Sequence, residues 1–399
     1  MHPKCSPEVA EDYFGRDETF CPRRVNCTEL LQLGGYETTV QEQWPSIVAI
    51  VSCTLSVLGS LLIVYTYARW KDLRTGSRSI VTYLAIADLV TALGYVAGSA
   101  NYILNFGSRS NTEQCRAFGT ACQIQSFVTT TSSLCSFAWT LFLAVYLYLV
   151  IVKAKLVLAN KLIPLFHVVA WGVPLLITLP LLIMGKLGYS PYSASNWCFI
   201  KDSLPHNDRK YACGHLNYEQ LLLALVGGKA WEITTYVLVI VLYAAMKWHI
   251  HKETRGAGSY QLVGESTVSA MQRADKKLTF IPVVFILLRI WGTAQFLYAT
   301  SVYNLMYLGC VPNEYAAGFT FLAYVQAFGD GGQGWGNVLL YIISSPKIRE
   351  RLFYCACHPS WKNLTGLSRS GANGEFPNLF PSGQHLEGRE SRVSVNDTN

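Results

Sequence analysis

The sequence predicts an all-α membrane protein built as a seven-transmembrane helix bundle. Of its 399 residues, 51% are hydrophobic and only 14% are charged, whereas soluble domains usually carry about 25% charged residues. Seven apolar stretches are long enough to cross a bilayer. The Lys and Arg residues between them alternate in number from loop to loop. In such a protein the net charge of +7 is no sign of nucleic-acid binding, and we expect none.

Residues 1–43 are polar and acidic, and we predict that they form an extracellular tail. The tail contains Cys5, Cys21 and Cys27 and a glycosylation sequon at Asn26. It lacks the short apolar core of a cleavable signal peptide. We therefore expect the first transmembrane span to act as the targeting signal.

Seven spans are predicted within a receptor-like domain of residues 44–343. Trp44 is suited to anchor the first span at the membrane interface, and Pro45 suits its first turn. The third span has no charge from 124 to 152, and its first half is rich in hydroxyl side chains. Hydroxyl side chains are unfavourable on a helix that faces lipid, and they allow close packing and hydrogen bonds at the centre of a bundle. The predicted spans are 44–68, 79–104, 122–152, 162–187, 219–247, 278–302 and 316–343.

The loops determine the predicted orientation. Those after the first, third and fifth spans hold thirteen Lys and Arg, and those after the second, fourth and sixth hold six. Because positive residues accumulate on the cytoplasmic side, the N-terminus lies outside and the C-terminus inside. Eight of the twelve cysteines then fall outside, which fits an oxidising exterior, although their spacing alone fixes no pairing.

Residues 344–399 form the predicted cytoplasmic end of the chain. In 345–357 apolar and basic residues alternate at helical spacing, which predicts a short amphipathic helix lying on membrane lipid. Cys355 and Cys357 are candidates for palmitoylation, and the alternative is a pair of free cytosolic thiols. Residues 363–399 are rich in Gly, Ser, Asn and Pro, which predicts disorder.

Charged residues inside the spans are the main functional signal. Each uncompensated charge there costs at least ~2.5–3.5 kcal/mol, so we expect these side chains to face inward and pair. Glu232 lies one turn from Lys229 and is its simplest partner, whereas Glu232 and Asp330 are both candidates for Arg289. The network either switches between two arrangements or is a static pairing that fixes helix register. The predicted network is Asp88, Lys229, Glu232, Arg289, Asp330, Gln333 and Asn337.

No enzyme site emerges from the sequence. Residues 329–334 match the dinucleotide fingerprint G-x-G-x-x-G, but that motif requires a preceding strand and a βαβ unit, and here it lies in an apolar span. There are no paired carboxylates in an aqueous cleft. His249 and His251 have no further ligands at metal-binding spacing, and we interpret them as solvated loop residues. We expect neither catalysis nor a cofactor or metal.

Short motifs spread over about residues 45–355 indicate the protein family more specifically than the hydropathy pattern does. In these motifs the chain resembles the small group that joins the slime-mould cyclic-AMP receptors and the orphan G-protein-coupled receptor 157 family, most closely the latter. Examples are Phe-Ala-Trp-Thr at 137–140, Trp-Cys at 197–198, Gly-Lys-Ala-Trp-Glu at 228–232, Leu-Arg-Ile-Trp at 288–291 and Gly-Gly-Gln-Gly at 331–334.

The resemblance implies a receptor in the plasma membrane that senses an extracellular ligand and activates a heterotrimeric G protein. It also implies Gq-type coupling to phospholipase C, a place in the ciliary membrane, and a disulfide between Cys122 and Cys198. The Asp-Arg-Tyr and Asn-Pro-x-x-Tyr motifs of rhodopsin-like receptors are absent. A transporter is the alternative, because midplane charges also mark ion paths, although no internal repeat is visible.

Four lysines at the inner ends of the third, fifth and sixth spans are the predicted G-protein face: Lys153, Lys247, Lys276 and Lys277. The alternative is that they only obey the positive-inside rule and touch lipid headgroups. The pair 276–277 is favoured, because it directly precedes the helix that carries Pro282 and Arg289. An outward swing of that helix would move the pair.

Overall fold

A computed structural model describes residues 36–38, 44–105, 119–188, 197–200, 218–256, 280–301 and 310–357. The chain divides into two units, Met1–Arg349 and Glu350–Asn399. The first unit contains the transmembrane helices. The described part of the second unit is 350–357, which belongs to the helix Pro346–Cys357.

Each of the first four spans is a single helix. They cover Trp44–Arg69, Gly76–Asn105, Gly119–Ile151 and Leu156–Ile183. The fourth span begins at 156 rather than at the predicted 162, and it ends at 183 rather than 187. It ends early because Gly185 adopts a left-handed conformation with φ of 65°, a conformation that commonly terminates helices.

The fifth span contains a π-helical turn. It consists of the helix Tyr218–Ala224, the π-helical turn Leu225–Lys229 and the helix Ala230–Gly256. It therefore continues beyond the predicted end at 247. Such turns are rare in helices and are frequent at functional sites, and this one ends on a residue of the predicted network. The sixth span is Phe280–Ser301.

The seventh span is interrupted rather than continuous, as Asn313–Gly331 and Gln333–Ser344. Side chains of the first span bind the backbone at the interruption. Ser52 donates to the Phe328 carbonyl oxygen at 2.7 Å, and Ser56 donates to the Gly331 carbonyl oxygen at 2.5 Å. Because these hydroxyls satisfy backbone acceptors, the interruption is tolerated at membrane depth.

The architecture is the predicted seven-helix bundle. Among the described residues, six helices are by themselves long and apolar enough to cross a membrane, and the interrupted pair makes the seventh crossing. In the third span 61% of the 18-residue apolar segment is buried inside the protein, and in the fourth span only 22%. The third packs against the second, fourth and fifth, and the seventh packs against the first and sixth. The third span is therefore the centre of the bundle.

Two short antiparallel sheets lie at the outer side. Strand β1 (Tyr36–Thr38) pairs with β4 (Cys310–Pro312), and β2 (Leu187–Gly188) pairs with β3 (Phe199–Ile200). Cys198, directly before β3, forms a disulfide with Cys122 at the start of the third span, which confirms the predicted bond. The loop that carries β3 is thereby fixed to the central helix.

Several predictions fall at the edge of the described chain or beyond it. The helix expected after the seventh span is present as Pro346–Cys357, and Cys355 and Cys357 lie on it. The remaining sites lie outside the described residues: Asn26, Cys5, Cys21, Cys27, Cys115, Cys213, Lys276 and Lys277.

The sixth and seventh spans approach each other closely at Gly329. A Cβ atom there would overlap the Leu288 carbonyl oxygen, whereas a Cβ on Gly172 in the fourth span would meet nothing within 4 Å. We expect Gly329→Ala to lower the thermal unfolding midpoint (Tm) of the receptor in detergent, since overpacking costs about 1–3 kcal/mol. Gly172→Ala is the matched control and should leave Tm unchanged or slightly higher. Equal Tm values for the two variants would contradict the close approach.

Candidate functional site

The five charged residues of the predicted network all lie inside the bundle. Asp88, Glu232, Arg289 and Asp330 are 3, 2, 3 and 6% exposed, and the Lys229 side chain is 15% exposed. They come from the second, fifth, sixth and seventh spans. Charges at this depth are tolerated only with close polar partners, so the partners of each define what the site can do.

Asp88 is held entirely by neutral donors. Ser136 of the third span donates to Asp88 Oδ1 at 2.6 Å, and Asn337 Nδ2 of the seventh span donates to Asp88 Oδ2 at 2.7 Å. Gln333 Nε2 in turn donates to Asn337 Oδ1 at 3.2 Å. Three of the predicted network residues are thus brought together, and they connect the second, third and seventh spans.

Glu232 is occupied by partners on its own helix. Lys229 Nζ lies 2.8 Å from Glu232 Oε2, and the Tyr236 hydroxyl donates to Glu232 Oε1 at 2.8 Å. The same hydroxyl lies 3.4 Å from Thr293 Oγ1 of the sixth span. The predicted Lys229–Glu232 pair is therefore formed, and it is connected to the sixth span through neutral hydroxyls.

Arg289 pairs with Asp330, the second of its two predicted candidates. The distance from Arg289 Nη1 to Asp330 Oδ1 is 3.8 Å, too long for a hydrogen bond. Gln326 Nε2 donates to Asp330 Oδ2 at 3.1 Å, and the Arg289 guanidinium carbon lies 5.3 Å from the centre of the Phe137 ring. All three buried carboxylates act electrostatically on Arg289. This ion pair is looser than the Lys229–Glu232 pair.

Sequence reasoning missed four polar members of the site. Tyr236 lies one turn after Glu232, and Gln326 lies one turn before Asp330. Both stand at a helical i,i+4 spacing from a carboxylate, a signal that was available. Ser136 and Thr293 reach their partners from other helices, and no local pattern identifies them.

Of the four predicted G-protein-face lysines, two are described. Lys153 is exposed in the turn after the third helix, which ends at Ile151, and Lys247 is exposed within the fifth span rather than at its end. Sequence reasoning also missed a nearby inner contact, in which Arg78 Nη2 donates to Ser345 Oγ at 3.0 Å. That contact joins the second span to the residue that follows the seventh.

The fold matches a solved receptor structure. The crystal structure of squid rhodopsin superposes with a TM-score of 0.53 at 15% sequence identity, covering 82% of this chain and 91% of that chain. At that identity the likeness shows the fold alone. Residues 43–208 match the family model "7 transmembrane receptor (Secretin family)". Together the fold and this match define a multi-pass membrane receptor of the seven-transmembrane class.

Closer relatives identify the family. G-protein coupled receptor 157 of Rattus norvegicus is 33% identical over 323 residues, which cover 79% of this chain and 87% of that protein. Its counterpart in Homo sapiens is 32% identical over 311 residues, covering 77% of this chain and 82% of that one. The chain belongs to the G-protein coupled receptor 157 family. Cyclic AMP receptor-like protein A of Dictyostelium discoideum is 26% identical over 164 residues, 41% of this chain and 39% of that protein.

Proposed function

We propose that this receptor carries an extracellular signal across the plasma membrane to a Gq-type heterotrimeric G protein, and through it to phospholipase C. Membership of a G-protein-coupled receptor family supports a G-protein partner. The observation that carries the proposal is the buried network, because it connects five of the seven spans through a few polar contacts.

The proposed switch is an exchange of partners by Arg289. In the described arrangement its ion pair with Asp330 is 3.8 Å long, whereas the Lys229–Glu232 contact is 2.8 Å. The looser pair is the easier one to separate. A movement of the sixth span that brings Arg289 towards Glu232 would define the second state. A ligand that binds the two states with different affinity shifts the population between them.

The outer loop supplies a route from the exterior to the network. Besides the disulfide, the Cys198 amide donates to Gln125 Oε1 at 3.0 Å, and Ser126 donates to the Phe199 carbonyl oxygen. The ring centres of Trp197 and Tyr95 lie 4.4 Å apart. A ligand that displaces this loop would therefore also move the second and third spans, which are joined by the hydrogen bond from Ser136 to Asp88.

The proposed G-protein face is tested with the lysine pair that precedes the sixth helix. We expect Lys276→Gln with Lys277→Gln to leave topology and surface level intact, because eleven other inner-loop cations remain. Inositol phosphate output per surface receptor should fall at least several-fold. The matched control is Lys71→Gln with Lys161→Gln, which removes two exposed inner cations from the first loop and the fourth span.

The two double variants separate the alternatives. Equal output from both, at equal surface level, would mean that the pair 276–277 is only a topological signal. Output that persists in cells lacking Gq-type α subunits would contradict the Gq assignment, and uptake of a solute without any second messenger would favour the transporter alternative. Imaging of the tagged receptor in ciliated cells tests the proposed ciliary location independently.

A further inference from the structure

One part of the network is not satisfied by the protein. Among the described residues, Arg289 Nε and Nη2, both amide atoms of Gln295, and Gln326 Oε1 form no hydrogen bond, and neither does Oδ1 of the neighbouring Asp330 carboxylate. The Arg289, Gln295 and Gln326 side chains are 3, 3 and 8% exposed. Buried polar groups are nearly always hydrogen-bonded, and leaving one unpaired costs about 1–3 kcal/mol. Three of them together indicate a place where another molecule supplies the partners.

Two of the three side chains, Arg289 and Gln326, contact one carboxylate, that of Asp330. A Cβ on Gly292 would lie 2.8 Å from Asp330 Oδ2, so that carboxylate rests against the sixth span at Gly292. Arg289 and Gln295 stand one turn on either side of Gly292, on the same side of the helix. The unpaired atoms therefore lie on the facing sides of the sixth and seventh spans.

The two glutamines lie on the outer side of the ion pair. The sixth span runs from inside to outside and the seventh runs back, so Gln295 lies nearly two turns closer to the exterior than Arg289, and Gln326 lies one turn closer than Asp330. Phe296, next to Gln295, packs in the cluster that contains Ile200 of strand β3. The sixth span therefore contacts strand β3 at the level of Gln295, and the unpaired amides lie between that level and the ion pair.

The charges and donors of the site indicate the class of ligand. The open edge of Arg289 offers two N–H donors, Gln295 offers a donor and an acceptor, and Gln326 Oε1 and Asp330 Oδ1 each offer an acceptor. The network already holds two cations and three carboxylates, a formal charge of −1. An added anion would increase that imbalance in a low-dielectric interior. A cation would reduce it but would lie against the positively charged Arg289 edge, whose N–H groups need an acceptor. An uncharged group that carries both an acceptor and a donor avoids both costs.

Building on the receptor function proposed above, we propose that this site binds an uncharged carboxamide group of the activating ligand. Its carbonyl oxygen accepts from the Arg289 edge, and its N–H group donates to Gln295 or Gln326. The ligand bond uses Arg289 Nε and Nη2, whereas the loose contact to Asp330 is made through Nη1. The bound ligand therefore gives Arg289 a second partner, and movement of the sixth span away from Asp330 then leaves the guanidinium partly satisfied.

Three small aromatic probes that differ only in their polar group test the ligand class. Benzamide, benzoate and benzylamine are added at equal millimolar concentration to the purified full-length receptor in detergent, and Tm is measured. Benzamide should raise Tm, since a molecule that binds the folded state stabilises it, and the charged probes should not. Gln295→Met and Gln326→Met should each reduce the benzamide shift. Gln295→Met alone should leave Tm equal or higher, because it removes an unpaired buried amide.

Gln125→Met is the matched control, because the side-chain oxygen Oε1 of Gln125 already accepts a hydrogen bond from the Cys198 amide. This variant should lower Tm and keep the full benzamide shift. A larger shift with benzoate, no shift with any probe, or an undiminished shift in both the Gln295 and Gln326 variants would each overturn the proposal. Because Tm is measured without a G protein, loss of signalling with an intact benzamide shift would count against the proposed coupling alone.

Discussion

Replacing Arg289 with Gln is expected to cause a large loss of surface receptor and of Tm, and adding Asp330→Asn should restore much of that loss. Removing one partner of a buried ion pair leaves the other charge uncompensated, which typically costs about 3–5 kcal/mol. Asp330, 6% exposed, would then keep only the hydrogen bond from Gln326. The two single variants and the double variant form a double-mutant cycle, read from Tm in detergent and from surface labelling of intact cells.

A control cycle combines Arg289→Gln with Glu232→Gln instead of with Asp330→Asn. Glu232 is held by Lys229 and Tyr236, so Glu232→Gln should add its own destabilisation to that of Arg289→Gln and give no rescue. Strict additivity in the Asp330 cycle would contradict the Arg289–Asp330 pair. Rescue through Glu232 instead would show that the second arrangement of the switch is the resting one.

Loss of the disulfide should be the second large effect. Cys198→Ser is expected to lower stability by about 2–5 kcal/mol, the usual range for a native disulfide, because the loop that carries β3 would lose its covalent attachment to the third span. Cys122→Ser should lower Tm by the same amount. The double variant should be no worse than either single variant, since all three lack one and the same bond.

Peptide mapping of the unreduced receptor gives the independent check. A peptide that joins Cys122 to Cys198 is expected, whereas one that joins Cys122 to Cys115 or Cys213 would contradict the assignment. Cys135→Ala is a suitable control, because Cys135 is a buried free thiol in the middle of the third span. It should leave the peptide that joins Cys122 to Cys198 unchanged in the unreduced map.

Much of the fold could be predicted because the bilayer imposes strong rules. A helix without charge over 124–152 and rich in hydroxyls had to lie at the centre, and it does. The end of the fourth span could not be predicted as well, since it depends on the backbone conformation of Gly185. The interruption of the seventh span depends on Ser52 and Ser56, more than 270 residues away in sequence, and no local pattern reveals it.

The candidate site could likewise be predicted from the sequence only in part. That charged side chains such as Arg289 must turn inward follows from the cost of exposing them to lipid. Which carboxylate pairs with Arg289 could not be derived, because Glu232 and Asp330 are both compatible with its depth. The tertiary structure determines the partner, because Lys229, at the end of the π-helical turn, forms an ion pair with Glu232. Asp330 is then the carboxylate that remains for Arg289.

The serine contacts at the interruption of the seventh span have a mechanical consequence. Because the Phe328 and Gly331 carbonyl oxygens bind hydroxyls of the first span, the seventh span depends on another helix at its interruption. A tilt of the inner half, Gln333–Ser344, would exchange these side-chain hydrogen bonds and would not require a helical turn to unwind. Since Asn337 on that half donates to Asp88, such a tilt would also act on the second span.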